Sequence, residues 1–186
     1  METKTRCAWC EKDDLYRNYH DNEWGKPVYD DATIFEFLIL ETFQAGLSWY
    51  TILAKRENFR QAFDQFDYYK IANYSDEKIA SIIENPGIIR NKLKIRATVS
   101  NAQAFIKVQE EFESFSKYIW GFVESKPIDN KFKSLTEVPA TTPISDALSK
   151  DLKKRGFKFT GSTVMYAHMQ ATGMVNDHIT ECFTRK

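Results

Sequence analysis

Residues Thr33–Trp49 read TIFEFLILETFQAGLSW. Ile34, Phe35, Phe37 and Leu38 recur at helical spacing, which predicts a helix over Thr33–Gln44. Thr33 with Glu36 three residues later can form a capping box at its start, and Ala45-Gly46 breaks it. One residue is out of place. Glu41 follows Phe37 by four and Leu38 by three, so its carboxylate shares their apolar face. Burying a carboxylate is costly unless it is paired or has a task. Three readings are open: a structural ion pair with an arginine, a helix-end residue that reaches water, or a functional acid.

The flanking sequence is also helical. A second helix is expected over Ser48–Phe63, with Trp49, Ile52, Phe59 and Phe63 on one stripe. Ser75 can cap a third that carries Ile79, Ile82 and Ile83, and Asn85-Pro86-Gly87 turns the chain. Arg90–Val108 reads as a long helix with Leu93, Ile95, Ala102, Phe105 and Ile106 facing inward, and Ser114–Phe122 as a shorter one. Glu124–Pro143 holds three prolines and little periodicity, so it is read as a surface connection. Ser145–Arg155 and Ser162–Thr172 are helices around a tight link, Gly156–Gly161, and Gly173 closes the second. No alternating strand pattern competes. The expected fold class is all-α.

At 186 residues the chain suits one domain, or two small lobes that share a core, and 42% hydrophobic with 15% aromatic residues supplies ample material to bury. Twenty-six basic residues balance twenty-six acidic ones, which argues against coating nucleic acid non-specifically but leaves room for a local basic face. No apolar run approaches the ~18 residues of a membrane span, and no signal pattern precedes Cys7. A cytoplasmic protein without membrane contact is expected. Three cysteines in a reducing compartment favour metal ligation or simple burial over disulfides.

Cys7 and His20 lie near one end of the sequence, His178 and Cys182 near the other. On a helix the last two would project from one face. Two thiolates and two imidazoles make a closed, structural zinc site that would tie the ends together; four unrelated buried residues is the alternative. Cys7-Ala8-Trp9-Cys10 is half of a zinc-ribbon pattern, but the second half is missing and Cys10 is read as a spectator. His168 sits among Met165, Met169 and Ala171 and is read as a core or surface histidine.

Two further features bear on function. Tyr16, Tyr19 and Trp24 crowd around His20, and Trp49 follows Glu41 closely. Aromatic faces beside a buried carboxylate suit a flat cationic ring, although an aromatic core would look the same. Ser149–Gly161 reads SKDLKKRGFKFTG and precedes a helix, so a glycine turn and Lys153, Lys154, Arg155 and Lys158 could hold a DNA phosphate; a solvated basic face is the alternative. Arg90, Lys92, Lys94 and Arg96 after Gly87 form a second such candidate.

Arg6-Cys7-Ala8-Trp9, Tyr19-His20-Asp21-Asn22-Glu23-Trp24-Gly25, Gln44–Trp49, Leu53-Ala54-Lys55-Arg56-Glu57-Asn58, Gly87-Ile88-Ile89-Arg90, Ser145–Gly161 and Val175-Asn176-Asp177-His178 span nearly the whole chain in order. Together they closely resemble the DNA-3-methyladenine glycosylase I family, a branch of the helix-hairpin-helix glycosylases. The resemblance implies a single glycosylase domain over residues 1–186, made of two helical lobes with a cleft between them. It implies that Cys7, His20, His178 and Cys182 ligate a structural Zn2+. It also implies that Glu41 contacts the excised base and that Trp9, Tyr16, Tyr19 and Trp49 form its pocket. Gln44, Gly46 and Leu47 would fill the gap left in the duplex, and Gly156, Lys158 and Gly161 belong to the DNA-anchoring hairpin.

The implied activity is monofunctional hydrolysis of the N-glycosidic bond of 3-methyladenine in alkylated double-stranded DNA, after base flipping, by a monomer with no obligate protein partner. Two departures stand out. The wider superfamily has a catalytic aspartate where this chain has Asn176, a pattern shared with the methyladenine branch. Cys10 has no place in the family's motif. Three rival readings remain: a lyase-type glycosylase with an iron–sulfur cluster, which needs four clustered cysteines; a zinc-dependent damage-binding module; and a plain helical interaction domain.

Overall fold

The computed structural model describes residues 4–185. Ten α-helices and one very short parallel ladder make up the regular structure among these residues, together with a few single 3-10 turns. The helices are α1 Asp14–Asn22, α2 Asp31–Gln44, α3 Trp49–Leu53, α4 Arg56–Ala62, α5 Tyr68–Ile71, α6 Asp76–Ile83, α7 Lys92–Phe112, α8 Phe115–Trp120, α9 Pro143–Lys154 and α10 Ser162–Ala171. None is long and apolar enough to cross a membrane.

Helix α2 is the centre of the molecule. Its side chains from Phe37 to Phe43 are all buried, and it packs against α3, α7, α8 and α10. A helix that is apolar all round is one surrounded on every side. Its cap is Asp30 rather than Thr33: the Asp30 carboxylate accepts hydrogen bonds from both the backbone N–H and the hydroxyl of Thr33, at 2.8 and 2.7 Å. A carboxylate at that position also complements the helix dipole.

The expected Ser48–Phe63 helix is two helices, broken at Ala54-Lys55. Leu93 corrects the inward face assigned to α7, because it is 71% exposed. Residues two apart on a helix lie about 200° apart, so Leu93 and Ile95 cannot both face one core, and Ile95 does. The 124–143 connection carries a two-residue strand, β1 Ile128–Asp129, that pairs in parallel with β2 Val175–Asn176. This ladder fastens the irregular segment beside the chain's final stretch.

Helix α9 starts at Pro143, two residues earlier than Ser145. Thr142 caps it and closes a capping box with Ser145, and proline occupies the first turn, where its missing N–H costs nothing. Residues 155–161 link α9 to α10. Gly156 takes φ +95°, as a left-handed position demands. The link is clamped from outside: Asn101 on α7 accepts from the Lys158 N–H at 2.8 Å and donates to its carbonyl at 3.1 Å, and Ser149 donates to the Thr160 carbonyl. At the far end of α10, a Cβ on Gly173 would lie 2.3 Å from the Lys26 carbonyl carbon, so only glycine permits this contact between α10 and the segment after α1.

Candidate active site

A cavity of about 200 Å³ opens between α1, α2, α3 and α10. Trp9, Tyr16, Tyr19, Trp24 and Trp49 form its aromatic walls, Glu41 and Gln44 come from α2, and Ala167, Gln170 and Ala171 from α10. The structure therefore brings together all five residues that sequence reasoning assigned to a base pocket. The rings brace one another: Trp9 meets Tyr16 edge-on at 4.9 Å and Trp24 at 5.1 Å, and Tyr19 lies 5.5 Å from Trp49. Asp13 caps α1 and also accepts from the Tyr50 hydroxyl, which fixes the helix that carries Tyr16 and Tyr19.

Glu41 is 2% exposed. Its Oε2 lies 2.8 Å from Nδ1 of His168, a fully buried residue of α10. Burial pushes the Glu41 carboxyl above its ordinary range, while the adjacent imidazole opposes that shift by charge and by hydrogen bonding. Neither the ion pair with an arginine nor the water-reaching helix end describes this residue. Two buried polar atoms at the site lack a protein partner among the described residues, the indole Nε1 of Trp49 and Nε2 of His168.

Sequence reasoning missed His168, every α10 residue that lines the cavity, and three contributors from outside the α-helices. His168 looked like ordinary core between two methionines. Leu135 and Val138 reach the cavity from the irregular connection. Asp177 is buried in its wall, where it accepts from Tyr166, Gln170 and Asn130 at 2.7–2.9 Å. A second polar residue on an otherwise apolar helical face was the available signal for His168.

The Ala45–Ser48 loop lies at the end of α2. Gly46 takes φ +83° and Leu47 is 41% exposed, beyond the half-buried Gln44. Lys94 is not part of an exposed basic face. It is buried, and its ammonium donates to the Phe43 and Ala45 carbonyls at 3.2 Å each. Its Nζ also lies 5.9 Å from the ring of Phe159, in the α9–α10 link, so it bridges the two loops. Arg90, Lys92 and Arg96 remain exposed. Around the link, Lys153, Lys154 and Lys158 are exposed, whereas Arg155 is committed to Asp151 and Glu111.

Cys7, His20, His178 and Cys182 converge, all buried, with their ligand atoms within 4.8 Å of one another. His178 and Cys182 do not lie on a helix as expected. β2 is extended, and the chain after it turns, with the Cys182 N–H bonded to the Ile179 carbonyl. Sulfur–nitrogen separations are 3.8 Å for Cys7–His178, 3.4 Å for Cys182–His20 and 3.5 Å for Cys182–His178. Zinc bonds to sulfur and nitrogen in a tetrahedron imply edges of about 3.5 Å, so the donor set fits that ion.

Behind the donors, His20 Nδ1 lies 2.8 Å from Asp21, which is held by Arg6, and His178 Nε2 lies 3.1 Å from the Trp24 carbonyl. Such partners fix which nitrogen faces an ion. Burial pushes His178 down to about 4, which leaves its imidazole neutral, as a ligand must be. Cys10 stays apart, its thiol bonded to the Cys7 carbonyl. The cluster backs the aromatic wall, because the rings of Trp24 and His178 are 4.6 Å apart and those of Trp9 and His20 5.4 Å.

A sequence model described as methyladenine glycosylase matches residues 9–185. The chain belongs to the methyladenine glycosylase family. It is 48% identical over 177 residues to DNA-3-methyladenine glycosylase 1 of Escherichia coli (strain K12), with 95% of each chain covered. A crystal structure of a 3-methyladenine DNA glycosylase I superimposes with a TM-score of 0.93 at 51% identity, over 96% of this chain and 98% of that one. The 3-methyladenine DNA glycosylase I of Staphylococcus aureus, solved for the structural basis of its 3-methyladenine recognition, gives 0.94 at 36% identity, over 97% and 96%. Family membership thus rests on nearly the full length of the chain.

Proposed function

We propose that this protein excises 3-methyladenine from alkylated double-stranded DNA by hydrolysing its N-glycosidic bond. The observation that carries the proposal is Glu41, a buried carboxylate at an aromatic cavity, in a chain of the methyladenine glycosylase family. The base must leave the stack to be reached, at a cost of a few kcal/mol. Leu47 is read as the residue that fills the gap, with Gln44 and Gly46 beside it; its exposure on a glycine turn supports this.

N3-methylation gives adenine a positive charge and makes it a good leaving group. A carboxylate and aromatic faces bind that cation in preference to neutral adenine, so the residues need supply little chemical push. Glu41 is accordingly assigned to base recognition, with Trp9, Tyr16, Tyr19 and Trp49 as the faces. This fits Asn176 standing where the wider superfamily has an acid.

The α9–link–α10 unit is read as the helix-hairpin-helix anchor, with Gly156, Lys158 and Gly161 against a DNA phosphate; the clamp from Asn101 keeps its backbone in shape. Zn2+ on Cys7, His20, His178 and Cys182 would join the two ends of the chain and stiffen the aromatic wall without entering the reaction. Residues 1–186 are taken as one glycosylase domain with two helical lobes around the cavity. The protein is taken to act as a monomer, and a cytoplasmic location suits three cysteines of which none is in a disulfide.

The test is base release from N-methylated duplex DNA, followed by chromatography, with Glu41→Gln in parallel. Glutamine preserves the shape and an acceptor for His168 but removes the charge. Free 3-methyladenine from the wild type, and release slower by on the order of 100-fold from the variant, is the expected result. A folded wild type that binds methylated DNA and frees no base would leave a damage-binding module instead.

A further inference from the structure

We infer that Glu41 does not act alone: His168 is a positioning residue that holds one carboxylate oxygen and leaves the other to the base. This rests on the excision activity proposed above. The two residues are 127 positions apart and meet because α2 packs on α10. At 2.8 Å, one proton lies between Nδ1 and Oε2. When Glu41 is ionised, that proton belongs to the imidazole, and Nδ1–H is the donor. Oε1 receives no hydrogen bond from any described residue, and Glu41 lines the cavity.

The other side of the ring makes the case stronger. Nε2 is fully buried with no partner among the described residues. Leaving a buried polar atom unpaired costs free energy, so a histidine kept only to fill space would be better replaced by a leucine or methionine like its neighbours Met165 and Met169. What compensates is the single contact to Glu41. That contact fixes the carboxylate rotamer before the base arrives, so the base does not bear the ordering cost. It also fixes which ring nitrogen faces the carboxylate, and the free Oε1 is left as an acceptor for a cationic ring.

The test compares His168→Asn with His168→Leu. Asparagine places an N–H near the position of Nδ1; leucine fills the volume without a donor. Single-turnover excision is read together with binding of free 3-methyladenine, followed by quenching of tryptophan fluorescence. Leucine should slow excision and weaken base binding about tenfold, while asparagine stays within about threefold of wild type on both. Leucine at wild-type levels overturns the inference, and so does an asparagine variant as impaired as leucine, because packing rather than the hydrogen bond would then matter.

A measurement on folded protein guards against an unstable variant. The wild-type proton spectrum should show a low-field, exchange-protected imidazole N–H that moves upfield in Glu41→Gln; its absence also counts against the pair. A wild type that releases no base sinks the proposed activity, whereas normal release with an unaffected His168→Leu sinks this inference alone.

Discussion

Two buried polar clusters bridge distant parts of this chain, and they are built on opposite plans. The first joins Cys7 and His20 to His178 and Cys182, with Cys7 and His178 171 residues apart. Its members face one another, and Asp21, Arg6 and the Trp24 carbonyl close it from behind. The second is Glu41 with His168, and it is unfinished. One carboxylate oxygen is unclaimed at a cavity wall, and one imidazole nitrogen has no partner among the described residues. Buried polar groups as such therefore do not mark a functional site. Incomplete bonding beside open space is what sets Glu41 apart, because a ligand in the cavity could supply the missing partner.

Breaking the closed cluster should have the largest effect on the fold. Cys182→Ala, or removal of metal by a strong chelator, is expected to cost several kcal/mol, or roughly 10 °C in Tm for a chain of this size. Differential scanning fluorimetry with metal analysis checks this: one zinc per wild-type chain, and none in the variant. An unchanged Tm in metal-free protein would erase the distinction between the two clusters.

Altering the open cluster should do the reverse. Burial raises the Glu41 carboxyl in the folded chain, so its stabilising share is present below its unfolded value and is lost as pH rises through the folded one. At neutral pH the ionised form is thus a burden on the fold, and Glu41→Gln should leave Tm unchanged or higher. Excision runs with the opposite sign. As pH falls, the carboxylate takes a proton and loses its hold on a cationic base. The acid limb of the single-turnover rate should therefore lie above the ordinary carboxylate range and vanish in Glu41→Gln. A wild-type profile flat down to the ordinary range would show that the charge of Glu41 is not what recognises the base.

The contrast between the clusters also explains what sequence could show. Helices were legible because apolar periodicity survives over a dozen residues, as in α2 and α7, and Glu41 stood out because it interrupts such a face. The cap at Asp30 and the break at Ala54-Lys55 were not legible, since local hydrogen-bond choices decide them and several residues compete. A ladder of two residues per strand leaves no alternation to read. His168 was missed because its partner lies on another helix, and Arg155 was misassigned because Glu111 is 44 residues away. Charge in sequence states what a residue can pair with, not what it does pair with.

Lys94 is a third kind of buried polar group, satisfied by backbone carbonyls. It is a buried cation with no acidic partner among the described residues, where its ammonium is bonded to the Phe43 and Ala45 carbonyls at the end of α2. Burial lowers its pKa. The gain lies in satisfying carbonyls that the helix itself leaves open, at the negative end of the helix dipole. Lys94→Met keeps most of the apolar stem and removes those bonds, so about 1–2 kcal/mol of stability should be lost, a few degrees in Tm. Because these carbonyls directly precede Gly46 and Leu47, amide exchange across 45–48 should quicken, and excision from duplex DNA should slow several-fold. Binding of free 3-methyladenine should not change, since the cavity walls are untouched. If binding of the free base falls in step with excision, the loop and the cavity are one cooperative unit, and the separation between base recognition at Glu41 and base extrusion at Leu47 does not hold.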